Sequence, residues 1–399
     1  MKFKGILFAA LAAGMLAVPV AAQEKADEKA DYEFKTVKEN WISPIKNQYR
    51  SGTCWCYSAL SFIESEVYRL TGNDNVDLSE MFVVGNAYRD RAIKYVRLDG
   101  HLNLAAGSSF GDVLHVIKDY GCIEEGAYNG MNYGTEMPEQ NELDAVVKGY
   151  VDAVKDVPNR NKLTTAWVNG LQGILDAYLG EVPSTFEVNG KEYTPESYRD
   201  FLKINTDDYV NLTSFTHHPF YEPFVIEVCD NWRWDSAYNL PIDELMEVMF
   251  NAVEKGFTIA WGSDVSERGF TRDGLAVLLA DKSKAAGSDQ ERWTGKADVK
   301  AEEVAKVALP EEVATVTQED RQDGYDRKYT TDDHGMHIYG LAQDQNGTNY
   351  FMVKNSWGKA GKYDGIWYAS EKFVKAKTMN IVVHKDALPK SIKKKLGIK

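Results

Sequence analysis

The sequence predicts an α+β fold in two lobes, with helices first and a β-rich sheet second. Three observations predict it. The first third carries apolar stripes at helical spacing between capping signals. The region after residue 257 carries short β-like runs instead. Helices and strands are grouped rather than alternating, which argues against a βαβ succession. There are no internal repeats.

In chain order, residues 23–40 form a polar, Lys/Glu/Ala-rich segment that reads as a mobile leader. The dense part starts at Trp41, and residues 41–130 form a helical lobe. Asn47 to Thr53 reads as a loop in which Gly52 permits a backbone that most residues resist. A helix follows from Cys54 to Leu70, with Leu60, Ile63, Val67 and Leu70 on one stripe and Thr71-Gly72-Asn73 as its stop. A second helix is expected from Ser79-Glu80 through Arg91, and a third from Gly111 to Tyr120, ended by Gly121. Residues 131–240 read as a mostly helical insertion with long loops. Residues 241–256 are an amphipathic helix with Leu245, Val248, Met249 and Val253 on one side. The β-rich lobe, residues 241–384, holds runs at 257–261, 337–342, 350–354 and 365–368. Asn346-Gly347 between two of them is a hairpin signal. Within this lobe, residues 281–330 read as a charged helical excursion. Residues 385–399 form a basic tail with six Lys and one Asp, either a frayed end or a segment that blocks a cleft.

Composition bounds the function. The chain has 399 residues, 44% of them apolar and 27% charged, as in globular proteins. A net charge of −14 argues against binding nucleic acid through phosphate contacts. Four Cys are too few for a disulfide scaffold. Residues 1–22 are expected to be a signal peptide. Lys2 and Lys4 precede an uncharged apolar run from Gly5 to Val20, and Val20-Ala21-Ala22 offers a small-residue cleavage site. The run is too short for a comfortable membrane span. The expectation is an exported protein, periplasmic or secreted, with no membrane attachment after cleavage. Cys54 and Cys56 are too close to bridge; Cys122 and Cys229 are either a disulfide or two buried thiols.

Cys54 stands at a predicted helix N-terminus, where the helix dipole and open N–H groups favour a thiolate nucleophile. A thiolate needs a partner that protonates the leaving group. His334 precedes one predicted strand and Asn355 ends the next, so a hairpin would bring them to one sheet edge. There Asn355 could orient the imidazole. His337, three residues further on, faces the other side of the strand and reads as a core or surface histidine. His217-His218, followed by Pro219, show no Cys or carboxylate at ligand spacing, so neither a metal nor a cofactor is expected.

Gln48 followed by Cys54-Trp55, then Asp333-His334-Gly335, then Asn355-Ser356-Trp357-Gly358 resembles the papain superfamily of cysteine peptidases in order and local context. The resemblance implies a papain-like fold with a helical and an antiparallel β lobe, acting on peptide substrates. It makes Cys54 the nucleophile, His334 the general base and then acid, and Asn355 the orienting residue. Gln48 would form the oxyanion hole with the Cys54 N–H. Trp357 would shield the His–Asn contact and, with Gly107, Ser108 and Ser109, line the substrate cleft. Departures narrow the family. Ser51 stands where the superfamily has a disulfide Cys, no long pro-segment separates residue 22 from Trp41, and His334 follows Cys54 by 280 residues rather than about 130–150. With Thr216 to Phe224, Asp230-Asn231-Trp232 and Trp261 to Ser266, this resembles the bleomycin hydrolase and aminopeptidase C branch. Relatives there are hexameric aminopeptidases whose C-terminal arm occupies the cleft, so a homo-oligomer is implied. The basic tail departs from that arm. An open-cleft endopeptidase and a catalytically silent peptide-binding protein are the rival expectations.

Overall fold

The computed structural model describes residues 31–157, 162–280 and 312–399. The expected signal peptide and residues 281–311 of the charged excursion lie outside the described residues.

Helix α1 (Cys54–Thr71) is buried nearly all round through Val67, which makes it the central helix of the molecule. Gly72 ends it in a left-handed conformation. Helices α2 (Glu80–Arg97) and α3 (Phe110–Tyr120) pack around it. α2 runs six residues beyond the expected end at Arg91, whose guanidinium is held by the carbonyls of Asn103, Ala105 and Gly107. Helices α4 (Asn141–Lys155), α5 (Ala166–Leu179) and α6 (Pro195–Phe201) join the same core, and a small hairpin of β2 (Phe186–Val188) and β3 (Lys191–Tyr193) precedes α6.

The second core belongs to a sheet, ordered β5-β6-β4-β12-β7-β9-β10-β11-β8. Its strands are β4 (Tyr209–Thr213), β5 (Pro223–Val225), β6 (Ser236–Asn239), β7 (Ile259–Ser263), β8 (Leu275–Ala276), β9 (His334–Gln343), β10 (Asn349–Lys354), β11 (Ile366–Ser370) and β12 (Thr378–His384). Helices α7 (Ile242–Glu254), α8 (Gln318–Asp326) and α9 (Glu371–Lys377) lie among them. The Asn346-Gly347 turn joins β9 to β10, with Gly347 in the left-handed region at φ 80°.

Four expectations are corrected. β1 (Lys35–Glu39), inside the expected mobile leader, pairs antiparallel with the outer half of β9. The expected helical insertion stops short: residues 209–239 supply three strands that extend the sheet through β12. The sheet is mixed rather than antiparallel, because β4–β6 and β8–β11 run parallel. Residues 390–396 form α10 (Lys390–Leu396), which buries Ile392 and Leu396, so the tail is not frayed.

The lobes meet where α1 crosses β9. A Cβ on Gly335 would lie 2.8 Å from Ser58 Oγ, 2.9 Å from Phe110 Cε1 and 3.2 Å from Trp55 Cα. Glycine is required there by close approach, not by its torsion angles. Gly335→Ala should therefore destabilise the fold by about 1–3 kcal/mol in chemical denaturation, as overpacking does. An unchanged midpoint would mean that the seam is looser than described.

Candidate active site

Cys54 is the first residue of α1, and the loop before it leaves that helix end open. Thr53 makes no side-chain cap, and no acidic residue occupies the first turn. The Cys56 and Tyr57 N–H groups bond Thr53 O, which leaves those of Cys54 and Trp55, with the helix dipole, for an anion at Cys54. Gly52, at φ 62°, also lies so close to residue 106 that a Cβ would be 2.5 Å from Ala106 Cβ. Ser51 Oγ donates to Gln48 O at 2.8 Å and is bonded to Thr53 Oγ1. Hydrogen bonds from Ser51 therefore tie this loop where the resemblance has a disulfide.

His334 opens β9, paired with Ser263 of β7, and Asn355 follows the last residue of β10. The hairpin register places Lys354 opposite His337, which brings Asn355 beside the strand start. His334 Nε2 donates to Asn355 Oδ1 at 2.8 Å. A carbonyl oxygen only accepts, so this bond assigns the proton to Nε2 and leaves Nδ1 as the nitrogen for exchange with a thiol. The Trp357 ring covers His334 at 4.8 Å between centroids and is itself braced by Trp367 and Phe270. Trp357 therefore shields the imidazole–amide pair, and its contact is with the histidine rather than with a cleft wall. The segment entering His334 is pinned as well. Asp333 accepts from the N–H groups of Val265 and Ser266, and Asp264 accepts from Thr331 N.

Gln48 is fully buried, and its backbone N–H donates to Ser356 O at 2.8 Å. Its Oε1 accepts from Ser356 Oγ, which turns the amide so that Nε2 has no protein partner. An unpartnered buried donor is what an oxyanion would fill. Ser356 was not singled out from the sequence, although it sits inside the motif that carries Asn355.

Gly107, Ser108 and Ser109 lie beside the nucleophile loop, but their polar groups are committed. Gly107 N donates to Gly52 O, and its carbonyl accepts from Arg91. Ser108 and Ser109 bond the Asp112 carboxylate, capping α3, and Ser108 Oγ also accepts from Trp232 Nε1 at 2.8 Å. They can shape a wall rather than bind a peptide backbone. Beyond them stands Asp230, whose carboxylate a Cβ on Gly107 would strike at 2.2 Å. Asp332, two residues before His334, lies close enough for the Asp230 charge to act on it. Burial pushes both carboxyls above their ordinary range. Neither was predicted, because their proximity depends on strand ends far apart in sequence.

A charged network supports the site from behind. Lys354 Nζ donates to Ser43 O, Ser43 Oγ and Ser61 Oγ at 2.7–2.9 Å, and Ser61 Oγ meets His337 Nδ1 at 2.9 Å. Burial pushes Lys354 down to about 8 and holds His337 well below the usual histidine value. His337 is thus a buried, neutral partner of α1. The four cysteines are free, with Cys122 buried and Cys229 exposed, so the disulfide alternative is excluded and the paired-burial alternative is half right.

Known proteins are similar to this chain in sequence and fold. Residues 28–168 match the family model described as papain family cysteine protease, and residues 287–398 match that described as Peptidase C1-like family. Aminopeptidase C of Listeria innocua is 22% identical over 93% of this chain and 87% of its own length. Aminopeptidase G of Lactobacillus delbrueckii is 22% identical, covering 87% and 82%. The crystal structure of PepW from Lactobacillus rhamnosis superposes with a TM-score of 0.66 at 17% identity, covering 91% of this chain and 84% of that one. Replacing the free donor is the sharpest check of the site geometry. Gln48→Ala should lower turnover of a peptide amide about 10²–10³-fold with little change in KM; turnover within about twofold of the parent would remove Gln48 from the site.

Proposed function

We infer that this chain, which belongs to the papain superfamily of cysteine peptidases, removes residues from the amino termini of peptides. The observation that carries the reading is the His334–Asn355 hydrogen bond, taken with the open end of the Cys54 helix and the unpartnered Gln48 Nε2. The Cys54 thiol passes its proton to His334 Nδ1 and the thiolate attacks the scissile carbonyl carbon, whose oxyanion accepts from Gln48 Nε2 and the Cys54 N–H. His334 Nδ1 protonates the departing amine as the C–N bond breaks, leaving a thioester. The neutral imidazole then takes a proton from water, the hydroxide attacks the thioester, and the thiolate leaves. Asn355 keeps the ring aimed throughout, and Trp357 limits water around that hydrogen bond.

The aminopeptidase half of the reading is supported by relatives named aminopeptidases that align over most of the chain. It is also supported by Asp230 and Asp332, which put carboxylates between the Gly107 wall and the catalytic strand. A substrate α-ammonium is complementary to them. The basic tail is docked elsewhere: Lys395 pairs with Glu244 of α7 and Lys393 with Asp386. The Lys2–Ala22 segment supports an exported enzyme that meets its peptides in the periplasm or outside the cell.

Hydrolysis of one dipeptide amide with a free and an acetylated amine tests this reading. Acetylation should lower kcat/KM at least about tenfold, and Asp332→Asn should raise KM for the free-amine substrate by a similar factor, the loss of one charge contact. The carboxylates carry charge above their raised pKa values and lose it as pH falls, so KM for the free-amine substrate should rise between roughly pH 8 and pH 5. Equal cleavage of both substrates would indicate an endopeptidase.

A further inference from the structure

Far along the sheet from the Cys54 helix, at the β5 edge, the chain builds a cluster that the mechanism does not use. His217 and His218 follow β4, and Glu227 lies just past β5. Sequence spacing offered these histidines no carboxylate partner; the fold supplies one. His217 Nε2 lies 3.1 Å from Glu227 Oε2, and His218 Nε2 lies 3.2 Å from Glu227 Oε1. One donor atom from each of the three residues falls within 4.8 Å of the others. Ligand atoms around a tetrahedral zinc ion at about 2.1 Å are about 3.4 Å apart, so little movement is needed to close on an ion.

The imidazoles are held in place rather than free to rotate. His217 stacks on Tyr325 with an interplanar angle of 14°, and His218 stacks on Phe224 at 21°. Gln322 of α8 lies against the far nitrogen of His217: its Nε2 is 3.0 Å and its Oε1 3.3 Å from His217 Nδ1, and Oε1 accepts from Thr216 N at 2.6 Å. The Gln322 amide thus fixes the ring from its far side and leaves Nε2 turned toward Glu227. Tyr325 OH donates to the Glu227 carbonyl at 2.9 Å, which fixes the carboxylate's own backbone. Glu227 is 58% exposed and His218 37%, so water can reach the remaining coordination positions.

We propose that His217, His218 and Glu227 form a binding site for a divalent transition-metal ion, with water completing the coordination. Two imidazoles and one carboxylate suit zinc or its neighbours better than calcium or magnesium, which prefer oxygen ligands alone. The ion would clamp the 214–227 segment and, through Gln322, α8, whose chain continues into His334.

The test uses the full chain carrying Cys54→Ala and Cys229→Ser, which removes the site thiol and the exposed thiol as competing ligands. After dialysis against a chelator, zinc chloride is titrated calorimetrically. One ion per chain should bind with a Kd on the order of 10 μM or tighter. His218→Ala and Glu227→Gln should each weaken binding at least about tenfold, and zinc should raise the melting temperature of the parent but not of these variants. Absence of stoichiometric binding, or equal affinity in parent and variants, would overturn the proposal and leave the cluster a hydrogen-bonded His–Glu pair. Neither outcome bears on the peptidase reading, because Cys54 is absent throughout.

Discussion

The site depends on α1 lying directly against the start of β9. Gly335 has no side chain, so Trp55, Ser58 and Phe110 can pack onto that strand, one residue on from Cys54 in the helix and from His334 in the strand. Segments 280 positions apart in sequence, those that carry Cys54 and His334, thereby meet across a seam of backbone. Helices and strands aim side chains more reproducibly than loops do, because their backbones are fixed by repeated hydrogen bonds. Cys54 and His334 both sit at element ends, while Asn355 extends one. Their mutual geometry follows from helix-on-sheet packing rather than from loop conformation.

That seam contains more than apolar contact. Behind Asn355, Lys354, Ser61, Ser43 and His337 form a chain of hydrogen bonds from β10 and β9 to α1 and to the segment leading into it. Burying a lysine is unfavourable unless its donors are used, and here Nζ has three oxygen partners. Such a network adds modestly to stability, but it penalises any sliding of the helix along the sheet. It holds in register what Gly335 allows to approach. Ser51 has a similar part on the other side, where hydrogen bonds to Gln48 and Thr53 shape the loop that presents the oxyanion donor.

Much of this was legible in the sequence because the relevant signals are local. A Gly-containing loop before an apolar stripe marks the Cys54 helix, and Asn-Gly between two β-like runs sets the hairpin carrying His334 and Asn355. The segments 35–39 and 209–239 were misread because their strands are short and partly exposed, and their pairing is decided by β9 and β12, more than 100 residues away. The same limit hid Asp332 and Glu227. Nothing in Thr331-Asp332-Asp333 says that Asp230 stands opposite. Nothing in the His217-His218 pair says that the chain returns along β5 to present a carboxylate. Tertiary pairing creates both clusters, and single-sequence periodicity carries no trace of it.

The central claim is that Cys54 is the nucleophile of a cleft that reads a free amine. Peptide mapping after labelling with an aminoacyl chloromethyl ketone tests both halves at once. Alkylation should fall on Cys54 rather than on the exposed Cys229, disappear in His334→Ala, and slow at least about tenfold when the reagent's amine is acetylated. Labelling confined to Cys229, or equal rates for the free and acetylated reagents, would contradict the account.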